Sequence, residues 1–192
     1  MNKKISINEK EPKEGYLRVS RILSCLNDFS GIDTAVLENK KNIGTDLHKA
    51  IELDIEGLCW PMQANAQGYF NSYRKWLDVT GFVLDRGEIR LYDEELKITG
   101  CLDAIGGSPH AKNRTLIDFK TSASANLEYW LHQGMFYHHL AKINEIHLAD
   151  RFLFVQLCEY GSTPRVHSFN VSEATWRQCL KYYYSYICDK NR

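Results

Sequence analysis

From Ile32 to about Leu58, apolar side chains recur at Ile43, Leu47, Ala50, Ile51 and Leu58, close to the 3.6-residue period of one helix face. A second helix is predicted over Ala64–Val79, with Phe70, Tyr73, Trp76 and Leu77 on its apolar side. Ahead of both, Arg21–Leu26 reads as a short helix with Ser20 as its N-cap, and the first dozen residues as a loose arm. The period then shortens to two. Phe82–Tyr92 and Leu96–Ile105 read as strands about the turn Asp93-Glu94-Glu95, and Thr115–Thr121 as a third strand after a loop opened by Gly106-Gly107-Ser108-Pro109. The simplest connections make these three an antiparallel meander. A long amphipathic helix follows over Asn126–Ile146. Phe152–Tyr160 and Arg165–Val171 are two more strands about Gly161–Pro164, and Ser172–Ile187 is a closing, aromatic-rich helix capped by Ser172. The fold class is α/β with a central mixed sheet flanked by helices.

With no repeat and no Gly-, Ser- or Pro-rich linker, the 192 residues read as a single domain, residues 1–43 being an arm and helices. Hydrophobic residues make up 44 % and charged residues 25 %, which excludes a disordered chain. Twenty-four basic and twenty-four acidic residues balance to a formal charge of zero. That rules out gripping nucleic acid by overall charge, though not by a local basic groove. No run of 18 apolar residues exists, so no membrane partner is expected. The basic start lacks an apolar signal core, and six cysteines without a Cys-x-x-Cys pair read as reduced, buried thiols. A cytoplasmic location follows from both.

The sharpest chemical signal is Leu116-Ile117-Asp118-Phe119-Lys120-Thr121. On a strand, Asp118 and Lys120 project to one side while Ile117 and Phe119 face the other. Such a pair reads as an ion pair on a strand face, or as a metal ligand beside an ammonium that orients a water. Asp103, in Gly100-Cys101-Leu102-Asp103, falls beside Asp118 once the hairpin closes. Two adjacent carboxylates repel, and a divalent cation between them relieves the repulsion; oxygen ligands select Mg²⁺ or Mn²⁺. Upstream, Gly44-Thr45-Asp46-Leu47-His48 puts an imidazole near the front of a helix, after a glycine that allows close approach, with Glu52 one turn on to orient it. Downstream, Gln133 and Tyr137 share one face of the long helix.

In the order G-x-x-x-H, G-x-x-D, D-x-K, Q-x-x-x-Y, these pieces span residues 44–137 and resemble the PD-(D/E)XK nuclease superfamily in its RecB-type branch. That branch includes CRISPR-associated exonuclease-like proteins, the mitochondrial genome maintenance exonuclease and many phage exonucleases. The resemblance implies a restriction-endonuclease-like core and a divalent-metal-dependent DNA exonuclease, of phage or bacterial recombination, repair or degradation. Metal ligands would be His48, Asp103, Asp118 and the Phe119 carbonyl. Asp103, Asp118 and Lys120 would be catalytic, with Lys120 positioning the attacking water and offsetting transition-state charge. Gln133 and Tyr137 would order the site and touch DNA. Glu88 stands where relatives often carry a glutamate, although a salt bridge to Arg86 or Arg90 accounts for it equally well. Leu102 replaces the proline of the superfamily's name. Cys25, Cys158, Cys179 and Cys188 lack the tight spacing of an iron–sulfur site.

An endonuclease on the same fold, or a non-catalytic DNA- or nuclease-binding protein, are the alternatives. Lys40, Lys41, Lys112 and Arg114 are candidate groove residues; Trp60, Tyr129 and Trp130 are candidates for stacking on unpaired bases. Tyr182, Tyr183, Tyr184 and Tyr186 on the last helix point several ways, as a surface for a homo-oligomer or protein partner would.

Overall fold

The computed structural model describes residues 12–28 and 30–190; the N-terminal arm up to Glu11 lies outside them. A two-residue strand β1 (Leu17–Arg18) leads directly into helix α1 (Val19–Ile22) and a 3-10 turn, Leu23–Leu26. Ser20 therefore lies inside α1 rather than capping it: the N-cap position is Arg18, still in the extended region because it belongs to β1. Helix α2 (Thr34–Ile55) begins where Asp33 accepts from the backbone N–H groups of Ala35 and Val36 at 2.8 and 3.4 Å, which satisfies two orphan donors of its first turn. It is followed by Gly57 at φ 74°, in the left-handed conformation that ends a helix cleanly. Helix α3 (Gln67–Thr80) ends the same way at Gly81.

Strands β2 (Val83–Asp93), β3 (Ile98–Gly107) and β4 (Arg114–Lys120) form the antiparallel meander. Helix α4 (Leu127–Ile143) crosses over to β5 (Leu148–Gln156), which lies parallel to β4, and β6 (Arg165–Asn170) returns antiparallel. Helix α5 (Glu173–Lys190) closes the described chain. This is the α/β architecture expected, a central mixed sheet of meander, crossover and further strands flanked by helices. The sheet order is β2-β3-β4-β5-β6, with β1 parallel to β3 through Leu17↔Ile98 and Arg18↔Thr99.

Two apolar layers sandwich the sheet. Ile43, Leu47 and Ile51 of α2 and Tyr69, Tyr73 and Trp76 of α3 pack on Ile117, Phe119 and Val155. On the opposite face, Trp130, Phe136 and Leu140 of α4 and Cys179 of α5 pack on Leu116, Phe152 and Phe154. Burial on both faces is the physical reason for the continuous apolar runs in β4 and β5.

Two strands start away from their expected positions. β3 begins at Ile98, not Leu96, because Asp93 accepts the N–H groups of Glu95 and Leu96 and lengthens the turn through Lys97 at φ 51°. β5 begins at Leu148 rather than Phe152: its first residues are half-buried or exposed and carry Asp150 and Arg151, yet they extend the ladders to β4 and β6. It stops at Gln156, after which Gly161 donates to Cys158 in a turn.

Candidate active site at a fork in the sheet

β4 pairs with β3 only from Gly106 to Ala104, and β1 only at Ile98 and Thr99. Between these two partners, residues 100–103 of β3 face a fork. Asp103 sits at its apex and its Oδ2 accepts the backbone N–H of Phe119 at 2.7 Å, so a side chain replaces the next rung of the ladder. On a strand, one residue's N–H and C=O point to the same edge. The Phe119 carbonyl is therefore directed toward the fork, as a ligand role would require.

At the same level both strands reverse the faces they present. In β2, Gly87 abuts Ile55 and Glu52 of α2, yet Ile89, two residues on, packs in the layer with α4. In β3, Leu102 and Ile105 share the α4 layer although they are three residues apart, while Ala104 faces α2. The reversal in β2 falls on Glu88, a non-glycine residue at φ 46°. Left-handed backbone costs an L-residue roughly 1–2 kcal/mol, so the conformation is held by its surroundings.

The reversal brings Glu88 and Asp103 against His48 of α2. His48 Nδ1 lies 3.4 Å from Glu88 Oε1 and 3.2 Å from Asp103 Oδ1. The three groups offer ligand atoms all within 4.8 Å of one another, a cluster that period-two reading of β2 did not anticipate. Glu88 also accepts from the Cys101 thiol at 3.2 Å, and burial followed by the Glu88 charge pushes that thiol up. Burial opposes a charge on His48, but the Asp103 and Glu88 carboxylates outweigh it and hold the imidazole well above its ordinary value. Asp103 is likewise opposed by burial and held low by His48, Lys120 and the Phe119 amide.

Asp118 and Lys120 share a face of β4, as alternation requires, and form an ion pair whose geometry leaves the buried Asp118 Oδ1 without a hydrogen bond among the described residues. Burial and then the Asp103 charge push the Asp118 carboxyl up to about 7. Lys120 is also desolvated, yet the Asp118 and Asp103 charges dominate and raise it, so the ammonium stays charged. Three nitrogen and oxygen donors converging beside a buried carboxylate oxygen are a donor set that fits a hard divalent cation such as Mg²⁺ or Mn²⁺.

Three expectations change. His48 lies well inside α2 rather than near its front, and Gly44 is not needed for close approach: an added Cβ would meet only Thr121 Oγ1, at 3.8 Å. Glu52 does not orient His48; it pairs with Lys49 at 2.6 Å, because the imidazole Nδ1 already faces two strand carboxylates. Gln133 and Tyr137 are buried, and Gln133 Nε2 donates to the Tyr137 hydroxyl at 2.9 Å, so neither offers an open surface for the DNA contact expected of them. Burial and then the charges of Asp118 and Asp103 raise the Tyr137 hydroxyl. Gly100 is the close approach that matters, since a Cβ there would lie 2.6 Å from the Tyr137 ring.

No family model matches the chain, and no curated protein does. Two structures of an alkaline exonuclease, LHK-Exo, from Laribacter hongkongensis are similar to it at 11 % and 12 % identity, one of them in complex with dAMP. Each alignment covers 91 % of this chain and 87 % of that one, at TM-scores of 0.49 and 0.44. Alignments this loose do not decide a family or an activity.

Of the outlying candidates, Lys41 and Trp60 border a cavity of about 720 Å³ that reaches His48 and Glu88. Lys40 is tied to Tyr69 and Glu159, and Arg114 to Asp85 at the far end of β4. Trp130 is buried and stacked on Phe154, which removes it as a platform for bases; Tyr129 is half-buried within the fields of Lys120 and Asp118. Cys25, Cys59 and Cys188 are exposed, against the expectation of buried thiols, and Cys179 is buried. On α5, Tyr182 bonds Glu128 and Tyr183 bonds the Leu96 carbonyl, so these rings fasten the helix to the body while Tyr184 remains exposed. Among the described residues, no helix is long and apolar enough to cross a membrane.

Proposed function

We propose that this chain is a divalent-metal-dependent nuclease that hydrolyses DNA phosphodiester bonds, acting as an exonuclease at strand ends. The observation that carries this reading is the meeting of His48, Glu88 and Asp103 beside the buried Asp118–Lys120 pair. A non-catalytic binding module has no need to hold three carboxylates and an ammonium together against their desolvation.

In this reading His48, Asp103, Asp118 and the Phe119 carbonyl hold the metal, with Glu88 added to the set. A divalent ion there would supply acidity for water and counter-charge for the nonbridging oxygens. The Lys120 ammonium, kept charged by its neighbours, orients the attacking water and faces the negative charge that builds on the phosphorus oxygens. Asp103 holds the Phe119 amide, and through it the strand that carries Asp118 and Lys120. The buried Gln133–Tyr137 pair, within the fields of Asp118 and Asp103, orders the site from α4.

The test is digestion of end-labelled linear DNA and covalently closed circles, single- and double-stranded, in Mg²⁺, Mn²⁺ and EDTA. Linear DNA should be lost in either metal and spared in EDTA. Asp118→Ala and Lys120→Ala should remain folded by circular dichroism and lose roughly a hundredfold or more in rate. Cutting of circles would move the assignment to an endonuclease using the same residues. Wild-type rates in either variant would overturn the site.

A further inference from the structure

The cavity of about 720 Å³ beside the metal cluster is lined by Thr45, His48 and Lys49 of α2, by Glu88 and Cys101 of the strands, and by Trp60. Trp60 stands on the connection between α2 and α3 with 40 % of its surface exposed. Exposed indole on a loop is usually mobile, but this one is pinned. Asp46 of α2 accepts from Trp60 Nε1 at 2.7 Å with one oxygen and from the Gln63 backbone N–H at 2.9 Å with the other. One carboxylate thus fastens both the ring and the loop that carries it, and leaves the indole as a fixed wall of the cavity.

Lys41, Lys49 and Arg90 stand around the cavity with Asp46, Glu52 and Glu88; Lys49 is paired with Glu52, and His48 adds a further positive group beside the Glu88 carboxylate. A planar aromatic wall, with the neutral polar side chains of Asn42, Thr45 and Gln63 nearby, suits an uncharged heteroaromatic ring. The volume suits one or two nucleotides, not a duplex some 20 Å across.

Resting on the nuclease reading of the neighbouring site, we infer that this cavity receives unpaired nucleotides of single-stranded DNA, with a base stacked on Trp60 and Asp46 acting as the positioning residue for the indole. The backbone then passes from the cavity to the His48–Glu88–Asp103 cluster, of which His48 and Glu88 line the cavity. The cavity selects frayed or single-stranded ends over paired ones.

The test measures binding without turnover. Full-length protein in EDTA at low salt is titrated with a twelve-nucleotide oligo(dT) and with a blunt DNA hairpin, following tryptophan fluorescence and the anisotropy of end-labelled DNA. Oligo(dT) should quench the wild-type signal, and the hairpin should not. Trp60→Phe should abolish the quench, because Trp76 and Trp130 are buried and Trp176 lies stacked on His139. Trp60→Ala should weaken oligo(dT) binding about tenfold, the usual order for losing one base–aromatic stack. Asp46→Ala, which keeps the indole but frees it, should weaken binding in the same direction. An equal quench in wild type and Trp60→Phe, or a hairpin that quenches as deeply as oligo(dT), would overturn the inference. Quenching as expected in a preparation that cuts no DNA in Mn²⁺ would refute the nuclease reading and leave the cavity as a single-strand site.

Discussion

Glu88 shows at the scale of one residue how the site draws on stability. Its left-handed backbone opposes folding, and its carboxylate stands near that of Asp103 with only the His48 imidazole between them. Glu88→Gly should relieve the backbone strain and raise stability by about 1 kcal/mol. The same change removes a proposed ligand. Thermal melting with and without Mn²⁺ checks both effects: the variant should melt higher than wild type in EDTA and gain less on adding Mn²⁺. A wild-type chain saturated a hundredfold above its dissociation constant gains about 2.7 kcal/mol. Asp118 and Lys120 were legible because strand alternation is local, and Asp103 because one hairpin brings it near. Glu88 was less so. Between Arg86 and Arg90 it resembles a surface ion pair, and nothing in a period-two pattern announces the residue at which the period breaks. Glu52 misled for the opposite reason: helical spacing reaches His48, but the imidazole found its partners on two strands, β2 and β3.

At the scale of elements, the contact between α4 and β5 depends on the absence of one side chain. A Cβ at Gly134 would fall 2.2 Å from the Phe152 ring, which lies inside the core with no room to withdraw. Gly134→Ala should cost about 2–3 kcal/mol in urea unfolding despite the better helix propensity of alanine. A second tie joins the β2–β3 hairpin to α4, where Asp93 meets His139 at 2.8 Å. Burial works against the Asp93 carboxylate, but the His139 hydrogen bond and the amides of Leu96 and Glu95 prevail and hold it below its ordinary value. Because the folded value is the lower one, this stabilisation is present above about pH 4 and fades as the pH falls through the folded value. Asp93→Asn should therefore be less stable than wild type at neutral pH and lose less on acidification, read as denaturation midpoints from pH 7 down to about pH 2. Long amphipathic elements were legible from periodicity. Their ends were not, since Ile98 is set by the bonding of the Asp93 side chain within the turn and Leu148 by ladder pairing with a distant strand.

For the molecule as a whole, the order of elements followed from the alternation of periods and the meander from the simplest connections, whereas the fork did not. β1 has only two residues and carries no pattern, yet it takes the far end of the β3 edge, at Ile98 and Thr99, and leaves 100–103 open between itself and β4. Circular and linear DNA test the activity at this scale, because the response to a strand end belongs to the whole groove. The fork has one more consequence. The Phe119 amide sits in the middle of a six-stranded sheet but is held by a carboxylate rather than by a neighbouring strand. A charge-assisted bond of this kind is short and strongly polarised. In a nitrogen–proton correlation spectrum the Phe119 resonance should lie far downfield and exchange slowly. It should move on adding Mg²⁺, while the amides of the outer strand β6 stay where they are. Asp103→Asn should return it to the crowded middle of the spectrum and let it exchange within the lifetime of a sample. One backbone proton, sixteen residues along the chain from the side chain that holds it, would then report the state of the site without any substrate present.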